Sequence, residues 1–262
     1  MIKAKKSLGQ NFLIDKNILD KIVNITKIKD QVVLEVGPGT GNLTSYILQK
    51  KPKKFFVVEK DENLILKLNE KFSDNIDIIN NDILKVNEKN LANDKIVVFG
   101  NLPYNISTEI LCKWILNLDK EYFWFDGLVL MFQKEVADRI ISKFNSSFYG
   151  RLSILANWKL KIEKICDIKP TSFSPKPKID SSLLFFTPKK KFPIFKESVS
   201  LEKITRIFFN HRRKMIRKPY NEIFNGDEEI INKFRLDLNL RPQNLDFEMY
   251  YFLTKEYEKL RG

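Results

Sequence analysis

The 262-residue chain has little of what a metal centre, a disulfide framework or a membrane anchor requires. Cys112 and Cys166 are its two cysteines and His211 its single histidine, so no set of side chains has zinc-ligand spacing and no metal is expected. Two isolated cysteines read as reduced thiols, the state found in a cytoplasmic protein. Lys3, Lys5 and Lys6 are not followed by an apolar run of signal-peptide length, and no stretch approaches the ~20 apolar residues of a membrane span. Internal repeats and low-complexity tracts are missing too. These absences lead to the expectation of a cytoplasmic chain away from membranes. Nothing specifies an oligomer, and a monomer is favoured.

Positive charge, by contrast, is abundant. Lys and Arg number 46 against 33 Asp and Glu, a formal net charge of +13. An excess of this size attracts polyanions through counterion release, which puts nucleic acid first among partners. A lysine-enriching bias in the genome would produce the same total, so the places where the cations cluster must decide. With 43% hydrophobic and 30% charged residues the composition is that of a folded domain with its own core.

Along the chain, apolar runs and helical periodicities alternate. Asp15 is placed to cap a helix whose Ile18, Leu19, Ile22 and Val23 share a face, with Ile14 as a hydrophobic staple. Strands are expected at 32–36, 55–58, 76–79, 96–99 and 128–132, with helices after the first two and around 110–116 and 136–141. That alternation predicts an α/β fold with a mostly parallel sheet covered on both faces. Two further runs, 160–168 and 182–187, have no helix between them and fit an antiparallel pair at the sheet edge. Beyond the lysine-rich segment 188–193 only helical signals remain. One expected helix carries Leu201, Ile204, Phe208 and Met215 on a single face until Pro219 stops it, and others start near Asp227 and Asp246. The domains are therefore drawn as 1–188, α/β, and 189–262, small and all-helical.

Within the first of these, Val33-Leu34-Glu35-Val36-Gly37-Pro38-Gly39-Thr40-Gly41 sets glycines where a strand turns into a helix, so that a ligand can approach the backbone closely. A dinucleotide fingerprint wants glycine at position 42, which here is Asn42, and Pro38 removes a backbone donor that a pyrophosphate would use. The ligand is thus expected to lack phosphates. Glu59 ends the next strand, where a carboxylate accepts from both hydroxyls of a ribose, and Asp82 after the third strand is placed to accept an adenine amine. Taken singly, either acid is as well explained as a helix cap or a solvated loop tip. Together with the glycine turn, in this order, they describe S-adenosylmethionine.

Asn101-Leu102-Pro103-Tyr104 follows the fourth strand. An exocyclic adenine amine is a poor nucleophile because its lone pair is delocalised into the ring. The Asn101 side-chain oxygen and the Leu102 carbonyl can each accept one N–H of such an amine, favouring a pyramidal nitrogen with an available lone pair. Pro103 stiffens the turn, and Tyr104 offers a ring for an extruded base. Phe173, in Phe173-Ser174-Pro175-Lys176-Pro177-Lys178, is a candidate for the base's other face, although one of 21 phenylalanines is more often core.

With these residues in hand the chain resembles the KsgA family of ribosomal RNA adenine dimethyltransferases over nearly its whole length. The likeness lies in Lys6 to Leu13, the Gly37 loop with Glu59 and Asp82, Asn101 to Ser107, and Phe173 to Ser181. It implies a Rossmann-like methyltransferase sheet with a helical C-terminal domain, and S-adenosylmethionine as methyl donor, leaving S-adenosylhomocysteine. It also implies cofactor contacts from Asn11, Leu13, Gly37, Gly39, Glu59, Asp82 and Asn101. The family's product is N6,N6-dimethyladenosine at two adjacent adenosines near the end of small-subunit rRNA, so the implied partner is the small ribosomal subunit. Lys60 departs from the family, which usually has an aliphatic residue beside the cofactor adenine; its methylene stem can still cover the ring. Erm enzymes, which methylate a large-subunit adenine, share the cofactor and adenine motifs. The N-terminal arm and Phe209-Asn210-His211-Arg212-Arg213-Lys214 look more like KsgA. A non-catalytic RNA-assembly or transcription factor on the same fold is a second alternative, and a DNA adenine methyltransferase the weakest. Arg212, Arg213 and Lys214, with Arg217 and Lys218, form the densest basic cluster and are expected along one helix as a phosphate-binding face, against the plainer reading of a solvated helix surface.

Overall fold

The structure, a computed structural model, describes residues 10–118 and 123–262; the early lysines and the Lys6 to Gly9 part of the N-terminal motif lie outside the described residues. The chain forms two compact units. One comprises Met1–Lys113, Leu118–Ala137 and Lys161–Pro188, the other Trp114–Asn117, Asp138–Leu160 and Lys189–Gly262.

The first unit is built on a seven-stranded sheet. After β1 (Phe12–Leu13) and α1 (Lys16–Val23), the chain runs β2 (Val32–Val36), α2 (Asn42–Gln49), β3 (Lys54–Glu59), α3 (Glu62–Phe72) and β4 (Asp77–Asn80). It continues with β5 (Ile96–Asn101), α4 (Ser107–Leu116), β6 (Phe125–Gln133), α5 (Lys134–Ile140), α6 (Arg151–Lys159), β7 (Leu160–Ile168), β8 (Phe173–Ser174) and β9 (Ser181–Pro188). The strand order is β4-β3-β2-β5-β6-β9-β7. Strands β4 to β6 are mutually parallel, and β9 runs antiparallel to β6. All five residues of β2 are buried, as a strand covered on both faces should be. Val33, Val57, Val97 and Phe99 of the central strands join Leu19, Ile22, Leu43, Ile47 and Leu68 of the helices in one core cluster. Each such fully buried side chain contributes roughly 1.5–3 kcal/mol. The chain winds outward from β2 to β4 and then returns to β5 on β2's other side. The crevice at the carboxyl ends of β2 and β5 is the switch point where ligands bind in open α/β sheets.

Asp15 caps α1 as expected, its Oδ1 accepting from the Asn17 and Ile18 amides. Ile14 does not staple this helix: it is 49% exposed, and its amide donates to the Ser172 carbonyl at 2.9 Å. The entry to α1 is fixed instead by a two-stranded sheet that periodicity could not show. In it Phe12 pairs with Ser174 and Leu13 with Phe173, while Ser172 Oγ donates to Asp15 Oδ2 at 2.8 Å.

In the second unit, α6 packs against α7 (Ser198–Phe209) and α10 (Phe247–Leu260), with α8 (Arg217–Phe224) and α9 (Glu228–Phe234) between the last two in sequence. Trp158, Phe208, Tyr220, Tyr250 and Leu253 form its buried interior. Asp227 and Asp246 cap α9 and α10 as expected. The long helix expected to run to Pro219 does not form. α7 ends at Phe209, Met215 is 56% exposed, and Pro219 lies in the first turn of α8. Continuing the stripe of Leu201, Ile204 and Phe208 by one turn would carry His211 and Arg212 into the interior, and burying an unpaired guanidinium is expensive. The chain therefore turns, with Lys214 N–H donating to the His211 carbonyl at 2.8 Å, and inserts Ile216 instead. A proline in the first turn of a helix lacks only an N–H that has no helical partner anyway.

Candidate active site

The loops at the carboxyl ends of β2 to β5 enclose a cavity of about 280 Å³. It gathers Asn11, Gly37, Gly39, Glu59, Asp82 and the run Asn101 to Tyr104, residues far apart in the chain. Gly37 and Gly39 have φ of +70° and +57°, a conformation L side chains rarely adopt. A Cβ on Gly39 would also stand 2.7 Å from the Phe12 ring, so this glycine lets the N-terminal arm lie against the turn.

Three amides of the turn are engaged within the protein. Gly37 N–H donates to the Val58 carbonyl at 3.0 Å, Gly41 N–H to the Pro38 carbonyl at 2.9 Å, and Gly39 N–H to the Glu59 carboxylate. Glu59, 9% exposed, also accepts at Oε1 from the Lys60 and Asp61 amides, both at 2.9 Å. Burial raises its pKa, and these three N–H groups work against that rise. A carboxylate has about four lone-pair sites, so Glu59 keeps acceptor capacity for a ribose diol. Asp82 caps a short 3₁₀ turn at Ile83–Lys85 through Oδ1, accepting from Leu84 N–H at 3.0 Å. Its Oδ2 accepts from Lys60 Nζ at 2.8 Å, and this hydrogen bond is the main cause of its lowered pKa. Lys60, the departure from the family pattern, thus lies beside the expected adenine acceptor and pairs with it. The apolar walls of Val58, Ile83 and Leu84, with a buried carboxylate at one strand end and a second acid at the next, fit S-adenosylmethionine.

At the end of β5 the side chain of Asn101 is oriented by the N-terminal arm, its Nδ2 donating to the Asn11 carbonyl at 2.7 Å. The amide nitrogen is thereby committed, and Oδ1 remains as the acceptor for a substrate amine. Leu102 is 1% exposed and lines the same cavity with Pro103. Tyr104 is steered from β9, its hydroxyl 2.5 Å from Ser181 Oγ, and burial raises its pKa.

Two expected site residues are placed differently. Phe173 does not line the cavity: it is 1% exposed and packed in the core opposite Leu13. Leu13 is also core; its carbonyl accepts from Asn42 Nδ2 at 2.8 Å, which explains an asparagine where a dinucleotide fold has glycine. Leu13 borders a smaller neighbouring cavity of about 20 Å³, shared with Glu35, Gly37 and Asn101. Glu35 escaped the sequence reading, and its signal was an acid inside an otherwise apolar buried strand. Burial pushes its pKa up to about 8, and Thr44 Oγ1 donates to it at 2.7 Å.

In the second unit the basic cluster lies on the α7–α8 turn and the start of α8, not along one helix. Arg213 and Lys214 line a cleft with Arg217, Lys218 and Arg241. Arg212 donates its guanidinium to the Ser146 and Ser147 carbonyls.

A mostly parallel sheet of this order, with a glycine turn at its switch point and acids at the next two strand ends, defines a Rossmann-like S-adenosylmethionine-dependent methyltransferase. The chain belongs to the ribosomal RNA adenine dimethylase family, whose model matches residues 1–259. It is 66% identical over 261 residues to a ribosomal RNA small subunit methyltransferase A of Pelagibacter ubique, covering 100% of this chain and 99% of that one. A protein of the same name from Ehrlichia ruminantium is 40% identical over 256 residues, covering 95% of each chain. Among solved structures, a dimethyladenosine transferase from Plasmodium falciparum superposes with a TM-score of 0.76 at 27% identity, covering 95% of this chain and 98% of that one. The 23S rRNA methyltransferase ErmE superposes with 0.68 at 20% identity, covering 95% and 100%, and shares the fold.

Proposed function

We propose that the protein uses S-adenosylmethionine to dimethylate N6 of two adjacent adenosines near the 3′ end of small-subunit (16S) rRNA during ribosome biogenesis in the cytoplasm. The observation that carries the chemistry is the fixed orientation of Asn101, whose Nδ2 is held by the Asn11 carbonyl beside the cavity of Glu59 and Asp82. S-adenosylmethionine, when bound, supplies an electrophilic methyl group on sulfur. Glu59 holds the ribose and Asp82 the adenine amine of that cofactor. Asn101 Oδ1 and the Leu102 carbonyl accept the two N–H bonds of the target amine and favour its pyramidal form, so no strong general base is needed and the amine proton leaves after attack. Tyr104, tethered to Ser181, presents its ring to the extruded base. Phe173, buried against Leu13, supports the arm that orients Asn101 in this conformation.

The small subunit is favoured over the large one by the relatives at 40% and 66% identity. We assign RNA contact to the segment 189–262, with Arg213 and Lys214 meeting phosphates and Arg212 holding the neighbouring loop. The deciding experiment is methylation of purified small and large subunits that lack these modifications, with mapping of the labelled adenines. Label at two adjacent small-subunit adenines is expected. Label in the large subunit would mark an Erm-type enzyme, and no label in either would mark a non-catalytic RNA-binding factor.

A further inference from the structure

The second unit carries an aromatic loop that the adenine chemistry does not use. Between α5 and α6, Phe144 is 46% exposed and Phe148 44% exposed. A single surface phenylalanine is ordinary. These two differ because the backbone that displays them is tied down. Asn145, with φ of +66°, donates its backbone N–H to the Gln243 carbonyl at 2.9 Å, and its Oδ1 accepts from Asn244 Nδ2 at 2.9 Å. Arg212 donates to the carbonyls of Ser146 and Ser147. Tyr149, fully buried against the rings of Phe209 and Phe247, closes the loop. Two large apolar rings are thus left in water on a segment with little freedom to fold them away.

The same anchors lead to the basic cleft. Arg212 directly precedes Arg213 and Lys214, and Gln243 follows closely on Arg241. Arg213, Lys214 and Arg241 line the cleft with Arg217 and Lys218, and among the described residues no carboxylate lines it. Fixed rings beside clustered cations match the two needs of unpaired RNA. Phosphates are attracted to the cations, and splayed bases stack on aromatic faces whatever their sequence.

We propose that the loop 143–148 is a stacking platform for unpaired bases of the RNA substrate, whose phosphates lie along the Arg213, Lys214, Arg217, Lys218 and Arg241 cleft. This rests on the reading of the substrate as ribosomal RNA. The test measures binding of the full-length protein to unmethylated small ribosomal subunits over a range of salt concentrations. The double variant Phe144→Ala, Phe148→Ala should bind about tenfold or more weakly with an unchanged salt slope, because stacking releases no counterions. Phe144→Trp, Phe148→Trp should bind at least as tightly as wild type, and Phe144→Leu, Phe148→Leu should be as weak as the alanine pair. Unchanged melting temperature and S-adenosylmethionine affinity would show that the fold is intact. Wild-type binding by the alanine pair would overturn the proposal, and so would full rescue by leucine, which would point to an apolar contact with a ribosomal protein. In both cases the substrate reading would stand. Absence of subunit binding by the wild-type protein would overturn both.

Discussion

The cofactor cavity and the basic cleft are both built from polar side chains, yet the fold treats them oppositely. In the cavity Glu59 is buried with three backbone N–H groups on its carboxylate, and Asn101 has its amide nitrogen fixed by the Asn11 carbonyl. In the cleft Arg213, Lys214, Arg217 and Lys218 stand on a turn and a helix start open to water. The first arrangement is preorganised for one small ligand, with few donors to reorient when it binds. The second works by charge density, tolerates side-chain motion, and gives up its strength to salt. Arg212 shows the boundary between the two, since it belongs to the basic cluster by sequence but is used as a structural donor.

Substitution within the cavity should therefore act on chemistry or cofactor and leave RNA affinity nearly unchanged. The largest effect is expected from Asn101→Ala, which removes an acceptor needed most as the amine becomes pyramidal. Single-turnover methyl transfer should fall about a hundredfold or more while subunit affinity holds. Near-normal transfer would remove Asn101 from the mechanism.

Glu35→Gln should act on stability, in a pH-dependent way. The Glu35 pKa is pushed up to about 8 in the fold from 4.5, so the native state holds a proton that the unfolded chain releases. The associated stability is complete below pH 4.5 and lost as pH rises through about 8, amounting to on the order of a few kcal/mol. Glutamine keeps an acceptor for Thr44 and does not ionise. Chemical denaturation across the neutral range should show a decline with rising pH in the wild type and a flatter profile in the variant. Parallel profiles would mean that Glu35 is not the buried proton carrier.

Glu59→Ala should weaken S-adenosylmethionine binding by about 2 kcal/mol or more, because charge-assisted hydrogen bonds to the ribose disappear, without unfolding the protein. In the wild type the raised Glu59 pKa should make cofactor affinity decline on acidification earlier than an ordinary glutamate would. Calorimetry across pH reads both, and an unchanged affinity in the variant would refute the ribose assignment.

The cleft should respond to salt instead. Arg213→Ala, Lys214→Ala should lower the slope of subunit affinity against salt by roughly 0.7–0.9 for each phosphate that is no longer neutralised, with cofactor affinity unchanged. Arg212→Ala, by contrast, should loosen the 143–148 loop and weaken binding with a smaller change in slope. Equal slopes for all three proteins would leave the cleft as solvated surface.

The same contrast governs how much could be read from sequence. The glycine turn, Glu59, Asp82 and Asn101 were legible because each sits at a strand end, and a parallel sheet necessarily brings those ends to one crevice. Their supports were not legible. Phe12 meets Ser174, Asn101 meets Asn11 and Arg212 meets Ser146 across long stretches of chain that no local period connects. Helix α6 left no amphipathic signal, since Ser153 to Ala156, Trp158 and Lys159 are all buried and so no polar face marks it. The broken α7 was misread because period alone extends a stripe without asking which residues the next turn would bury.

The smallest expected effect lies at Lys60, where the exposed character of the cleft intrudes on the cavity. Its ammonium is largely exposed and pairs with Asp82 Oδ2 at 2.8 Å. A pair of this kind contributes about 0–1 kcal/mol. Lys60→Leu removes the charge and keeps an apolar stem to cover an adenine ring, so cofactor affinity at neutral pH should change by only a fewfold. The clearer sign is electrostatic. Asp82 has a lowered pKa chiefly because Lys60 donates to it, so any stability this gives is present above the unfolded pKa of 3.8 and lost as pH falls through the lower folded value. In the variant that decline should be smaller, because the folded and unfolded pKa values lie closer together. A carboxyl-detected NMR titration of the folded protein should therefore find Asp82 protonating at higher pH in the leucine variant than in the wild type. If the two titrations coincide, Lys60 does not set the charge of the adenine acceptor, and its place beside the cavity has no electrostatic consequence there.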